Sequence, residues 1–281
     1  MSDESGSLWF ITGATSGFGR AIAEAVAARG DIVVGAARSP ARLDDLVAAY
    51  PDHVHAIALD VTDTDRCRAA VDDVVNRFGR IDVLVNNAGR TQVGALEETT
   101  DSELRYLFDL HVFGPAALTR AVLPHMRRAG GGTVVQMSST GGHVSAPGFG
   151  AYSATKFALE GLTEALRQEV DFCVRFLIVE PGAFRTNLFG PEAAYVSTPM
   201  PEYDATVGPT RAYLGTHGSQ LGDPAKAARA ILVAVDAPKP PLRLALGRDA
   251  VDTIRGQLES LTAELSEWEA VSRDTAFDVD R

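Results

Sequence analysis

The sequence predicts an α/β protein with a doubly wound parallel sheet, built as a single domain with helices on both faces. Short apolar runs of strand length alternate with longer stretches of helical periodicity. These runs are continuously apolar, as in strands that helices cover on both faces. The length of 281 residues suits one large domain. We expect that domain over residues 8–273, after a disordered N-terminus (1–7) and before a flexible tail (274–281).

The alternation predicts the elements in order. Strands are expected over 8–12, 32–37, 54–59, 81–85, 133–137, 173–179 and 242–246. Helices are expected from the first glycine-rich turn to Arg29, over 65–78, from a cap at Asp101 to Arg128 with a bend or break near Gly114-Pro115, after residue 150, over 224–235 and over 249–268. Ligands of such sheets bind beyond the carboxyl ends of the strands.

Composition excludes several function classes. Lys and Arg number 26 and Asp and Glu 37, so the formal charge is −11. This charge repels phosphate backbones and anionic lipid, which argues against nucleic acid and membrane as partners. Two distant cysteines suit reduced thiols, and residues 1–7 lack the pattern of a secretory signal, so we expect a cytoplasmic protein. The six histidines show no metal-ligand spacing, so no metal is predicted.

A glycine-rich turn joins the first strand to the first helix. Gly13, Gly17 and Gly19 lie in the spacing Gly-x-x-x-Gly-x-Gly, with Thr15, Ser16 and Phe18 between them. Such a turn lets backbone N–H groups approach a pyrophosphate at the helix N-terminus. The strand–turn–helix order therefore predicts dinucleotide binding.

The end of the second strand predicts which dinucleotide. An NAD site has an acid near this point, which holds the ribose hydroxyls. Here Arg38 and Ser39 follow Ala36 and Ala37, and a cation suits a 2′-phosphate. We therefore predict NADP(H) as the cofactor, with Arg38 contacting its 2′-phosphate. Arg42 is a weaker second candidate for that contact. The alternative interpretation of Arg38 is a solvated surface arginine.

Tyr152 and Lys156 form a candidate acid–base pair. Four residues apart on a helix, they lie on one face. A phenol holds its proton until about pH 10, and a nearby ammonium lowers that pKa. Tyr152 would then act as a general acid or base near neutrality.

Six pieces in one order resemble the short-chain dehydrogenase/reductase family over about residues 8–246. The pieces are Thr12-Gly13-x-x-x-Gly17-x-Gly19, Asp60-Val61, Asn86-Asn87-Ala88-Gly89, Ser139, Tyr152-x-x-x-Lys156 and Pro181-Gly182. Each is common alone, whereas the ordered set is specific. The resemblance implies a Rossmann-like oxidoreductase.

The resemblance also implies a role for each piece. Gly13, Gly17 and Gly19 would hold the pyrophosphate, while Asp60 would contact the adenine beside Val61. Asn87, Ala88 and Gly89 would lie along the ribose side. Lys156 would bind the nicotinamide ribose. The nicotinamide end would lie against the segment 181–186, which includes Pro181, Gly182, Phe184 and Thr186.

The implied chemistry is ketone or aldehyde reduction and its reverse. Ser139 and Tyr152 would donate hydrogen bonds to the substrate oxygen, and Tyr152 would give up its proton. Alternation along the strand turns Ser138 away, so Ser139 is the predicted catalytic serine. His111 stands where the family usually has an asparagine that holds a relay water. A structural role for His111 and a role in that relay are both open.

The substrate and assembly are less directly encoded. Residues 184–222 form a long segment rich in proline and aromatic residues, which predicts a binding loop or lid for a largely apolar molecule. Relatives often pair helices equivalent to 103–129 and 151–171, so we expect a homo-oligomer. An inactive dinucleotide-binding sensor or scaffold is the main alternative. A nucleotide-sugar epimerase or dehydratase is a third, although the chain is short for one.

Overall fold

A seven-stranded parallel sheet forms the centre of the protein in the computed structural model, which describes residues 6–190 and 193–277. Its strands are β1 (Leu8–Thr12), β2 (Ile32–Ala37), β3 (Val54–Ala58), β4 (Val83–Asn86), β6 (Gly132–Met137), β7 (Val174–Pro181) and β9 (Arg243–Leu246). They lie in the order β3-β2-β1-β4-β6-β7-β9. The chain crosses over between β1 and β4, which is the switch point expected of a doubly wound sheet. The predicted fold class is confirmed.

Helices cover both faces of the sheet, because successive apolar side chains of each strand point to opposite faces and both faces are therefore apolar. Trp9 and Ile11 belong to one core cluster, and Leu8 and Phe10 belong to the other. The first cluster includes residues of α1 (Gly17–Ala28), α2 (Asp44–Ala49) and α8 (Pro224–Asp236). The second includes residues of α3 (Thr64–Phe78) and α5 (Gly114–Arg128), with α6 (Gly150–Glu169) beside them.

The long helix predicted from Asp101 to Arg128 is divided, and its predicted cap is wrong. Thr100 caps α4 (Asp101–Phe108): its hydroxyl accepts the Glu103 N–H, and Glu103 accepts the Thr100 N–H at 2.9 Å. The Thr100 hydroxyl precedes the first turn and can reach its N–H groups, whereas Asp101 lies inside the helix. A π-helical segment, Asp109–Phe113, joins α4 to α5 and interrupts the regular α-helix just before Gly114.

The segment 184–222 is more ordered than the loop that its composition predicts. It contains β8 (Ala194–Val196) and α7 (Gly208–Leu214). β8 pairs in parallel with β5 (Thr91–Val93), which follows the Asn-Asn-Ala-Gly turn. The Tyr195 hydroxyl donates to Glu103 at 2.7 Å and so ties this segment to α4. The aromatic side chains are therefore structural anchors as well as lining.

The last helix, α9 (Arg248–Arg273), extends beyond the predicted 249–268. Among residues 6–190 and 193–277, no helix is long and apolar enough to cross a membrane. Of the predicted disordered N-terminus, residues 1–5 lie outside the described residues, as do residues 278–281 of the predicted tail.

Candidate active site

A cavity of about 770 Å³ opens at the carboxyl ends of the central strands. The sequence-predicted residues that line it are Gly13, Thr15, Ser16, Gly17, Phe18, Arg38, Asp60, Val61, Asn87, Ala88, Gly89, His111, Ser139, Tyr152, Lys156, Pro181, Gly182, Phe184 and Thr186. Gly19 and Ser39 are the predicted site residues absent from this lining. The topology thus brings together pieces that are far apart in the sequence.

The glycine turn has the geometry of a cradle for an anionic group. Gly13 and Gly17 adopt positive φ angles of 64° and 55°, which favour glycine. A Cβ on Gly13 would lie 2.9 Å from Ala88 Cα, and one on Gly19 would clash with the Gly13 carbonyl. Gly19 therefore acts behind the turn, permitting close packing, and does not line the cavity.

Asn87 braces this turn. Its side-chain amide donates to the Thr12 and Gly13 carbonyls at 2.8 and 3.1 Å. The Thr12 hydroxyl in return accepts the Asn87 and Ala88 N–H groups at 2.9 and 3.0 Å. The sequence places Asn87 along the ribose, and in the structure its amide nitrogen also positions the glycine turn.

The residues present fit a dinucleotide phosphate. Ser16, at the N-cap of α1, makes no side-chain capping bond, and Ser16, Gly17 and Phe18 at this helix start line the cavity, where the first-turn N–H groups suit an anion. Arg38 is exposed at the same rim, and no carboxylate in the described part of the chain pairs with it. One Asp60 carboxylate oxygen accepts the Thr62 N–H and hydroxyl at 3.0 and 2.8 Å, which fixes that side chain.

The catalytic candidates converge at the inner end of the cavity. Ser139, which follows β6, and Tyr152 on α6 both line this end of the cavity. The Ser139 oxygen accepts the Gly141 N–H at 3.1 Å, which leaves its proton for donation. Ser138 donates instead to the buried Glu160, as strand alternation predicts.

The pKa of Tyr152 differs from the expectation drawn from its spacing to Lys156. Burial raises the pKa of Tyr152 to about 12, and the neighbouring Ser139 hydroxyl lowers it only in part. The Lys156 ammonium lies 5.6 Å from the Tyr152 ring centre and donates to the Met137 carbonyl at 2.8 Å. Burial also lowers the pKa of Lys156 to about 8. Tyr152 is therefore a protonated donor at neutral pH.

His111 is held through both ring nitrogens. Its Nε2 accepts the Arg90 N–H at 3.2 Å. Its Nδ1 lies 2.8 Å from the Thr155 hydroxyl, which itself donates to the Tyr152 carbonyl at 2.7 Å. Nδ1 therefore carries the proton and donates to Thr155. The pKa of His111 is held well below its usual value by burial, then by Lys156 and Arg90, so the ring is neutral.

Sequence reasoning missed two residues of this site. Thr155 connects His111 to the catalytic helix and is fully buried, and its place in the Tyr-x-x-x-Lys spacing gave it no signal of its own. Arg90 packs its guanidinium 4.3 and 4.7 Å from the ring centres of Tyr106 and Tyr195. Arg90 directly follows the Asn-Asn-Ala-Gly turn, and this position in the sequence could have identified it as a candidate site residue.

Comparison with known proteins agrees with this architecture. The family model described as short chain dehydrogenase matches residues 8–195. The chain belongs to the short-chain dehydrogenase/reductase family of oxidoreductases, as the ordered motifs predicted.

Particular relatives cover nearly the whole chain. Oxidoreductase BOA17 of Botryotinia fuckeliana is 38% identical over 96% of this chain and 99% of its own. A short-chain dehydrogenase structure from Streptomyces avermitilis is 63% identical, covers 98% of this chain and 100% of its own, and has a TM-score of 0.92. An alcohol dehydrogenase from Thermococcus sibiricus, complexed with 5-hydroxy-NADP, is 27% identical over 85% of this chain and 95% of its own, with a TM-score of 0.70.

Proposed function

We propose that this protein is an NADP(H)-dependent oxidoreductase that interconverts a ketone or aldehyde and an alcohol, with Tyr152 as general acid and base. The observation that carries the proposal is the convergence of Ser139 and Tyr152 in the same cavity as the glycine turn. Two hydroxyl donors next to a dinucleotide cradle suit a carbonyl oxygen that gains negative charge.

The residues divide the chemistry among them. A reduced nicotinamide, when bound, supplies the hydride. Ser139 and Tyr152 donate hydrogen bonds to the substrate oxygen, and Tyr152 transfers its proton to that oxygen as the alcohol forms. A protonated Tyr152 with a pKa of about 12 is ready to donate. Lys156, still charged at neutral pH, then stabilises the phenolate and, in our proposal, holds the nicotinamide ribose.

The exposed Arg38 supports NADP(H) over NAD(H), as does the 5-hydroxy-NADP bound to the Thermococcus relative. We expect Arg38→Asp to weaken NADPH binding by about 2–4 kcal/mol, because it removes a charge-assisted contact and adds repulsion. Titration of the wild-type protein and the variant with NADPH and NADH measures this change, and NADH binding serves as the control. Equal affinity of the wild-type protein for the two cofactors would reject the assignment.

Tyr152→Phe tests the acid. This variant should fold and bind NADPH but lose nearly all turnover, because only the transferable proton is removed. The assay follows loss of reduced-nicotinamide absorbance with a panel of ketones. A variant that retains a tenth or more of wild-type kcat would disprove the role of Tyr152. A wild-type protein that binds NADPH and turns over no carbonyl would instead support a sensor or scaffold.

The substrate side of the cavity supports a largely apolar molecule. Its apolar and aromatic lining consists of Leu110, Val144, Ala146, Phe149, Leu188, Phe189, Ala193 and Tyr213. We place the protein in the cytoplasm and propose a homo-oligomer that pairs helices 103–129 and 151–171. Phe113 and Phe157, which are 53% and 49% exposed, favour such a contact.

A further inference from the structure

The last helix, α9, presents an unpartnered apolar stripe. Only Ala250 in this 26-residue helix is buried. Five apolar side chains along it are between 38% and 67% exposed: Val251, Leu258, Leu261, Leu265 and Trp268. A helix of this length extends about 39 Å. Large apolar side chains left in water along one face indicate a missing partner.

The stripe has the spacing of a coiled-coil seam. Val251, Ile254, Leu258, Leu261, Leu265 and Trp268 recur at intervals of three, four, three, four and three residues. This is the alternation of a and d positions in a heptad repeat. A helix that packs on a globular core uses a wider apolar face. The narrow seam therefore fits another helix of the same kind.

We propose that α9 pairs with α9 of a second copy of this chain in an antiparallel coiled coil. With the two seams fully overlapped, Val251 lies opposite Trp268 of the second copy, Ile254 opposite Leu265, and Leu258 opposite Leu261. Every apolar residue of the seam then has an apolar partner. This face is separate from the helices 103–129 and 151–171, and the inference does not depend on the proposed activity.

Charges beside the seam favour the antiparallel orientation. In that arrangement Arg248 faces Glu269 of the second copy, and Gln257 faces Glu264. A parallel pair would instead place Glu264 against Glu269 twice, and like charges at these flanking positions repel. Arg248 and Glu269 are both exposed, and Glu269 now pairs with Arg273 on its own helix at 2.6 Å.

A lipid surface is a poorer occupant of the stripe. Three arginines and six acidic residues in α9 give a charge of 3 − 6 = −3. Helices that lie on membranes carry Lys and Arg on their polar face, and anionic lipid repels negative charge. The N-terminus of α9 is attached to the body of the protein, because the Asp249 carboxylate accepts the Ala183 N–H at 2.6 Å. A second copy is therefore the occupant that the charges fit.

Light scattering on the full-length protein tests the pairing. Leu258→Glu combined with Leu261→Glu puts four carboxylates at the centre of the seam, and the molar mass should fall by half. Ala263→Glu combined with Ala270→Glu adds the same charge on the opposite, exposed face and should keep the wild-type mass. A monomeric wild type, or equal masses for the two double variants, would overturn the proposal.

Disulfide trapping tests the orientation. In the antiparallel pair Arg255 faces Thr262 of the second copy, so the double variant Arg255→Cys/Thr262→Cys should form a covalent dimer under mild oxidation. Each single variant should remain monomeric on a denaturing gel, because neither position faces itself. Covalent dimers from either single variant, or none from the double variant, would overturn the antiparallel pairing.

Discussion

His111 is a single residue at which this chain differs from the pattern of its family. The family usually has an asparagine at this position, and the sequence therefore suggested that His111 could hold a water of a proton relay. In the structure, the two ring nitrogens bridge Arg90 and Thr155. Gly89 makes this possible, since a Cβ there would lie 3.1 Å from His111 Nε2. The histidine thus positions the turn after β4 against the catalytic helix.

We predict that His111→Leu lowers the free energy of unfolding by about 1–3 kcal/mol, because it leaves the Arg90 N–H without its partner and removes one of the two hydrogen bonds of the buried Thr155 hydroxyl. His111→Asn should lose less, since an amide can restore one bond, and should keep kcat within about tenfold. Urea unfolding and steady-state kinetics measure both effects. Identical stability of the two variants would contradict the bridging role.

The low pKa of His111 also sets a pH dependence. Its pKa is lowered in the folded state, so below about pH 6.5 the unfolded chain binds the extra proton and stability falls as pH falls. His111→Asn removes this loss. Unfolding measured at pH 7 and pH 5 should therefore show a smaller decrease for His111→Asn than for the wild-type protein.

At the scale of the element, the cap of α4 lies one residue before the position that the sequence predicts. The sequence favoured Asp101, but the Thr100 hydroxyl and Glu103 form the reciprocal bonds. Glu103 also accepts from the Tyr195 and Ser197 hydroxyls, so the same carboxylate orders the start of α4 and the strand β8. The capping of α4 and the position of β8 are therefore coupled through Glu103.

Thr100→Ala should therefore destabilise the protein by about 1 kcal/mol, the usual cost of a lost cap. Asp101→Ala is the matched control and should cost less, since it removes only a charge near the helix N-terminus. Thermal or urea unfolding of the two variants compares them directly. A larger loss of stability for Asp101→Ala than for Thr100→Ala would instead support Asp101 as the capping residue, as the sequence suggested.

At the scale of the whole molecule, a buried charge cluster joins the outer strands to the catalytic loop. Arg243 on β9 lies 3.1 Å from both Glu160 on α6 and Glu180 on β7. His143, just after Ser139 in the chain, approaches Glu180 at 2.9 Å, and Ser138 donates to Glu160. Both carboxylates are almost fully buried, and burial raises the pKa of Glu180.

Arg243→Met should lower the free energy of unfolding by about 3–5 kcal/mol, because two buried carboxylates lose their cation. A carboxyl with a raised folded-state pKa gives its stability at low pH and loses it as pH rises, so the defect should be larger at pH 8 than at pH 5. Arg243→Lys keeps a cation and should recover much of the loss. A defect that does not change with pH would refute this account of the cluster.

The sequence by itself determined the alternation of strands and helices, the ordered family motifs and the residues that meet at the strand ends. It could do so because apolar periodicity and glycine turns act over a few residues, and parallel topology then places the strand ends together. It also placed Ser138 and Ser139 on opposite sides, since side chains alternate along a strand.

Only the tertiary structure decided which partner each polar group takes. Burial, which depends on segments far apart in the chain, raised the pKa of Tyr152 where the nearby Lys156 alone would have lowered it. The same distant packing committed Asn87 to the glycine turn and His111 to Thr155. Hydrogen-bond partners and desolvation are set by neighbours in space, and a linear pattern does not contain them.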